Sequence, residues 1–108
     1  MNNNNIKANN LIPAFLTHPG EIIKDEIEYR GISQQKLAEQ TGIAYSAINE
    51  MLNGRRPITE RSALMIEAAL GIDAETIIRM QYRYNMQIAK NDSSFMTKLS
   101  AIRRIAAL

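Results

Sequence analysis

The chain of 108 residues has no cysteine, no tryptophan and one histidine, with only three prolines and five glycines. Without cysteine there is neither a disulfide framework nor a thiolate zinc site. With His18 as the sole imidazole, a multi-histidine metal cluster cannot form. No run of about 18 uncharged apolar residues exists, which rules out a spanning helix of that kind. The opening Met1-Asn2-Asn3-Asn4-Asn5 has neither the basic start nor the apolar stretch of a secretory signal. A Gly-rich phosphate loop is also missing. The expectation is a cytoplasmic protein of one domain's length, with no cofactor, no metal and no membrane attachment. Such a chain can hide roughly 65% of its unfolded surface.

What is present is uneven charge. The formal net charge is only +2, but residues 1–32 sum to −1, 33–61 to +1, 62–78 to −3 and 79–108 to +5. A basic last third suits an anionic partner, although many basic surfaces are simply solvated. Six of the first ten residues are Asn. Residues 1–16 therefore read as a flexible, Asn-rich N-terminal arm, with Leu11, Ile12, Phe15 and Leu16 as candidates to dock on the body.

Helix signals follow in series. His18-Pro19-Gly20-Glu21 opens a first helix, with Pro19 at the first helical position and Glu21 and Asp25 near the positive end of the dipole. Gly31 closes it. Ser33 caps a second helix through about Gln40, and Thr41-Gly42-Ile43-Ala44 makes a tight turn. A third helix reaches about Leu52 and is ended by Asn53-Gly54 and the basic Arg55-Arg56-Pro57. Thr59 caps a fourth that stops at Gly71, and Asp73 a fifth to about Ala89. A sixth starts at Asp92 or Ser93. No stretch alternates at period two for long enough to be a strand, so the chain is expected to be all-helical.

Residues 33–52 have the spacing of a helix-turn-helix. Ala38 is small where two steeply crossing backbones approach, Gly42 supplies the positive φ of the turn, and Ile48 locks the second helix of the motif onto the first. Leu37, Ile43, Met51 and Leu52 assist, while Ala47, Ile48, Met51 and Leu52 share one face of the third helix. The opposite face carries Tyr45, Ser46 and Asn49, with Asn53 at its end. Short polar groups beside one aromatic are what a helix entering a major groove needs to reach base edges. Gln34 and Lys36 at the start of the second helix, and Asn53, Arg55 and Arg56 past the third, are the candidate phosphate contacts. The bland alternative is a three-helix packing corner whose polar face is merely solvated.

Other candidate chemistry is thin. His18 at a helix start fits an N-cap rather than a catalytic base, and Glu21, Asp25 and Glu28 around Lys24 fit a solvated face rather than a metal site. The six methionines read as pliable core filler. Nothing points to catalysis. The sixth helix carries Phe95, Leu99, Ile102 and Ala106 at offsets of four, three and four, a stripe suited to a dimer seam or, equally, to its own domain's core. Arg79, Arg83, Lys90, Lys98, Arg103 and Arg104 decorate this region.

Three segments together, Thr17-His18-Pro19-Gly20-Glu21-Ile22-Ile23, Ser33-Gln34-Gln35-Lys36-Leu37-Ala38 and Ile48 through Thr59, resemble HigA-type antitoxins of the XRE, or Cro/C1-like, helix-turn-helix superfamily. The likeness spans roughly residues 17–88. It implies an all-α, five-helix Cro/C1-repressor-like domain over residues 17–90 with an additional C-terminal helix over 91–108. It further implies a homodimer that represses its own operon by binding double-stranded operator DNA at an inverted repeat, with half-sites about 34 Å apart. The second implied partner is a HigB-type, RelE-like toxin that cleaves mRNA. Under the resemblance, Tyr45, Ser46 and Asn49 read bases, and Gln34, Asn53, Arg55 and Arg56 touch the backbone. The chain departs from the family in the fifth helix, where Ile77, Ile78, Met80 and Gln81 replace a stretch that commonly begins with Trp, and Tyr84-Asn85-Met86 replaces Tyr-Asp-Leu. A stand-alone regulator of the same fold, and a protein-interaction module that no longer binds DNA, remain open beside this reading.

Overall fold

A computed structural model describes residues 17–108; the N-terminal arm expected over 1–16 lies outside the described residues. These residues form six helices: α1 (Pro19–Arg30), α2 (Gln34–Thr41), α3 (Tyr45–Leu52), α4 (Glu60–Leu70), α5 (Ala74–Lys90) and α6 (Ser93–Ala106). The order and bounds expected from the caps agree to within a residue or so. Ser33, Thr59 and Asp92 each accept a bond from the amide three residues on, at Lys36, Ser62 and Phe95. Asp73 does the same for Thr76, whose hydroxyl also donates to it at 2.6 Å, and this bonding lowers the pKa of the Asp73 carboxyl. These are the orphan amides that a helix start leaves unpaired, each met by a short side chain.

The chain divides into two compact units, one over Thr17–Tyr82 and one that includes Arg83–Leu108. The first holds the core. Ile23 and Ile27 of α1, Leu37 and Ala38 of α2, Ile48, Met51 and Leu52 of α3, Ala63, Ile66 and Leu70 of α4, and Ile77 of α5 are all buried, joined by Ile58 from the α3–α4 loop. Spacings of three and four place each set on one stripe of its helix, and bringing the stripes together removes them from water. Met51 is the only methionine buried among the described residues, whereas Met65 and Met86 are each 41% exposed. The methionines are therefore not general core filler. In α4 the inward stripe is fully taken by Ala63, Ile66 and Leu70, which leaves Met65 facing out.

Two backbone constraints fix the helix-turn-helix. Gly42 has φ of 77°, and its amide donates to the Ala38 carbonyl at 2.8 Å, so the turn between α2 and α3 uses the left-handed region. At Gly20 the constraint is one of space. A Cβ there would stand 1.9 Å from the Met51 carbonyl oxygen, so the first turn of α1 lies directly against the last turn of α3.

The two glycines should respond differently to substitution. Gly42→Val meets no neighbour but strains the backbone, and is expected to destabilise by about 1 kcal/mol or more. Gly20→Ala drives a side chain into a carbonyl, and is expected to cost about 3 kcal/mol or more, the upper end for overpacked sites. Urea unfolding of the two variants measures the difference, with Gly20→Ala the less stable.

Candidate nucleic-acid interface

The outward side of α3 is set by what its inward side must bury. Ile48, Met51 and Leu52 are at most 2% exposed, which fixes the rotation of this eight-residue helix. Tyr45 is then 52% exposed, Ser46 is exposed and Asn49 is half-buried. All three candidate base-reading residues therefore lie on the surface. The residue preceding the helix is Ala44, which offers no side-chain cap, so among the described residues no side chain caps the start of α3. Helix N-termini in that condition favour an anion.

The candidate residues are connected in ways their spacing does not announce. Asn49 Nδ2 donates to Gln34 Oε1 at 2.9 Å, tying the third helix to the start of the second across 15 positions. Arg56 pairs with Glu50 at 2.6 Å, and both side chains stay about half-exposed. Such a surface pair contributes at most about 1 kcal/mol and can exchange partners. Asn53 Nδ2 donates to the Asn49 carbonyl, and its Oδ1 accepts from Lys24 Nζ at 3.0 Å. Arg55 and Lys36 are exposed, and neither side chain has a polar partner among the described residues. The structure thus brings Gln34, Asn49, Asn53 and Lys24 into one chain of hydrogen bonds, with Arg55 and Lys36 left free.

The loop that carries the two arginines is held from two sides. His18 is 3% exposed and its Nδ1 accepts the Gly20 amide at 2.9 Å, which makes it the N-cap of α1. Its ring is also hydrogen-bonded to the Arg56 backbone, so the Nε2–H donates to that carbonyl. A Cβ added to Gly54 would touch the ring at 3.7 Å. On the far side of the loop, Gln81 of α5 is 5% exposed and its Oε1 accepts the Ile58 amide at 2.9 Å. The loop is therefore pinned at Arg56 and at Ile58, and Arg55 and Arg56 project from a fixed backbone. Sequence reasoning placed His18 as a cap but missed its grip on the loop, and counted Gln81 only as a departure from a family pattern. Its place four residues after Ile77 on the apolar stripe of α5 was a sequence signal for Gln81 itself, though not for its partner.

Among the described residues no cluster of histidine, aspartate and glutamate could hold a metal ion. Among those residues no helix is long and apolar enough to cross a membrane.

A helix-turn-helix family profile matches residues 23–77, which is more than half of the chain. The chain belongs to this family. It is of the XRE type and shares the fold of HigA antitoxins. Virulence-associated protein I of Dichelobacter nodosus is 36% identical over 84 residues, covering 77% of this chain and 76% of that protein. Among solved structures, an addiction module antidote protein of the HigA family from Coxiella burnetii superposes with a TM-score of 0.69 at 28% identity, over 77% of this chain and 91% of that one. The Pseudomonas aeruginosa antitoxin HigA with its higBA promoter superposes with a TM-score of 0.66 at 21% identity, over 82% and 92% of the two chains. The latter likeness bears on the fold alone.

Two substitutions test the pinned loop. Burial lowers the His18 pKa below its ordinary 6.5, outweighing the Arg56 carbonyl and Glu21, which push it up. The folded protein therefore prefers the neutral ring. Its contribution to stability is complete above about pH 6.5 and shrinks as pH falls through that value towards the lower folded pKa. Urea midpoints between pH 7.5 and 5 should fall more for the parent than for His18→Asn, whose Oδ1 can still cap Gly20. Gln81→Leu leaves the buried Ile58 amide unpaired and is expected to destabilise by about 1–3 kcal/mol. A loss below the lower figure would mean that the amide finds another acceptor.

Proposed function

We propose that this chain is the antitoxin of a HigBA-type module: a homodimeric repressor that reads an inverted repeat in its own operator and also binds and neutralises an mRNA-cleaving toxin. The observation that carries the DNA half of the reading is the outward presentation of Tyr45, Ser46 and Asn49 from a helix locked by three buried side chains. The Coxiella burnetii relative is an addiction module antidote, and the Pseudomonas aeruginosa HigA was solved with its promoter. The first supports carrying the antitoxin role to this chain, while the second shares its fold.

The Asn49–Gln34 bond gives the reading a mechanism. A carboxamide has two N–H donors and one carbonyl acceptor. With one N–H held by Gln34, Asn49 keeps its other N–H for adenine N7 and its Oδ1 for the adenine N6 amine, the bidentate pairing of a major-groove contact. Gln34 thus acts as a brace that sets the plane of the amide before DNA arrives. Tyr45 offers a ring to a thymine methyl, and Ser46 tolerates several base edges. Lys36, Arg55, Arg56 and Asn53 neutralise or hold phosphates on either side, and Arg56 trades Glu50 for a phosphate oxygen. For the dimer, the apolar stripe of α6, Phe95, Leu99, Ile102 and Ala106, is the proposed contact; no residue of α6 is buried.

Two variants separate the roles. Asn49→Ala should cost about 1–3 kcal/mol on the operator and relax discrimination at one base pair. Arg55→Ala should weaken operator and scrambled DNA alike and lower the slope of log K against log salt by about one. Fluorescence anisotropy at several salt concentrations, with DNA from upstream of the gene, reads both. Equal behaviour of the two variants overturns the assignment. Co-purification with the product of the adjoining gene tests the toxin half.

A further inference from the structure

Two exposed apolar surfaces of this chain have opposite charge around them. The first is α6. Phe95 and Ile102 are 41% and 53% exposed, and Leu99 lies between them on the same stripe. On a helical projection Lys98 and Arg103 flank that stripe on its two sides, and α6 contains no acidic residue. The second is a groove of about 410 Å3 between α4 and α5, with Leu64, Ala74 and Ile78 as its apolar floor and Glu60, Glu75 and Arg79 at its rim. Leu64 is 58% exposed. Beyond the groove on α5, Tyr82 follows Ile78 at an interval of four and is exposed. From Ala74 to Tyr82 this stripe runs about 12 Å, against about 16 Å from Phe95 to Ala106.

We propose that the α4–α5 groove of one copy is the seat for α6 of a second copy, so that two chains exchange their C-terminal helices reciprocally. This rests on the reading that α6 makes the dimer and names the surface it docks on. The seat and the helix are complementary in both respects that matter for specific docking. Apolar side chains fill an apolar floor, and Lys98 and Arg103 face Glu60 and Glu75 at the rim. Arg79 is the one rim cation and sits beside Glu75, one residue type against the trend. An α6-to-α6 seam would instead bring Lys98 and Arg103 of each copy towards those of the other, with no carboxylate on either helix to offset them. A two-fold arrangement of this kind uses each groove once and closes at two copies.

Charge reversal on the full chain tests the seat. In sedimentation equilibrium, Glu60→Lys with Glu75→Lys should weaken dimerisation about tenfold or more, and Lys98→Glu with Arg103→Glu should do the same. Combining all four should restore the dimer to within about threefold of the parent, because the complementarity is rebuilt with the signs exchanged. Rescue by the combination is an outcome that misfolding of either variant cannot imitate. A dimer sensitive to the α6 reversals but indifferent to the two glutamates overturns the groove as the seat, while leaving α6 as the dimer element. A dimer indifferent to α6 reversal and to Leu99→Lys, or a parent chain that stays monomeric at every concentration, overturns the α6 dimer itself.

Discussion

The arrangement of this protein depends on one backbone contact: the first turn of α1 against the carbonyl of Met51 in the last turn of α3. The approach is so close that a methyl group at residue 20 would overlap the oxygen. It brings the helix that opens the domain to the point where the candidate reading helix ends. From there His18 can serve two neighbours at once, capping α1 through Nδ1 and holding the Arg56 carbonyl. The His-Pro-Gly-Glu opening thereby acquires a physical meaning. Each residue has a task at the same junction: a cap, a pre-set φ, a missing side chain, and a carboxylate at the positive end of the helix.

Because the junction is closely packed, the surface beyond it has a defined backbone to project from. Burial of Ile48, Met51 and Leu52 sets the rotation of α3, and the loop after it is held at Arg56 and, through Gln81, at Ile58. The side chains left outside are Tyr45 and the short Ser46 and Asn49, and the one proposed to read adenine is already braced by Gln34. Preorganisation of this sort spares the complex the entropy of ordering a free amide. In the proposed DNA complex the arginines would work differently. They would need reach and charge rather than a fixed plane; Arg55 has no polar partner among the described residues, while Arg56 rests on a weak, exposed one.

Much of this was legible in the residues. Ser33, Thr59, Asp73 and Asp92 announce helix starts because short oxygens competing for nearby amides act locally, within three residues. Gly42 announces the turn because positive φ is a property of one residue. The inward stripe of α3 follows from spacing alone. The methionines misled, since an apolar side chain carries no statement of which face it occupies once the stripe of its helix is full. The partners in the long-range bonds left no local trace: Asn49 to Gln34 spans 15 positions and Gln81 to Ile58 spans 23.

The amino-acid sequence by itself determined the helices, their caps and the family, because those follow from contacts between residues a few positions apart and from the pattern of apolar side chains. The tertiary structure alone decided which polar groups meet. Hydrogen bonds between distant residues require their helices to be docked first, and docking is set by the shape of the buried core. The bracing of Asn49, the grip of His18 on the arginine loop and the opening of a groove between α4 and α5 are all consequences of that packing.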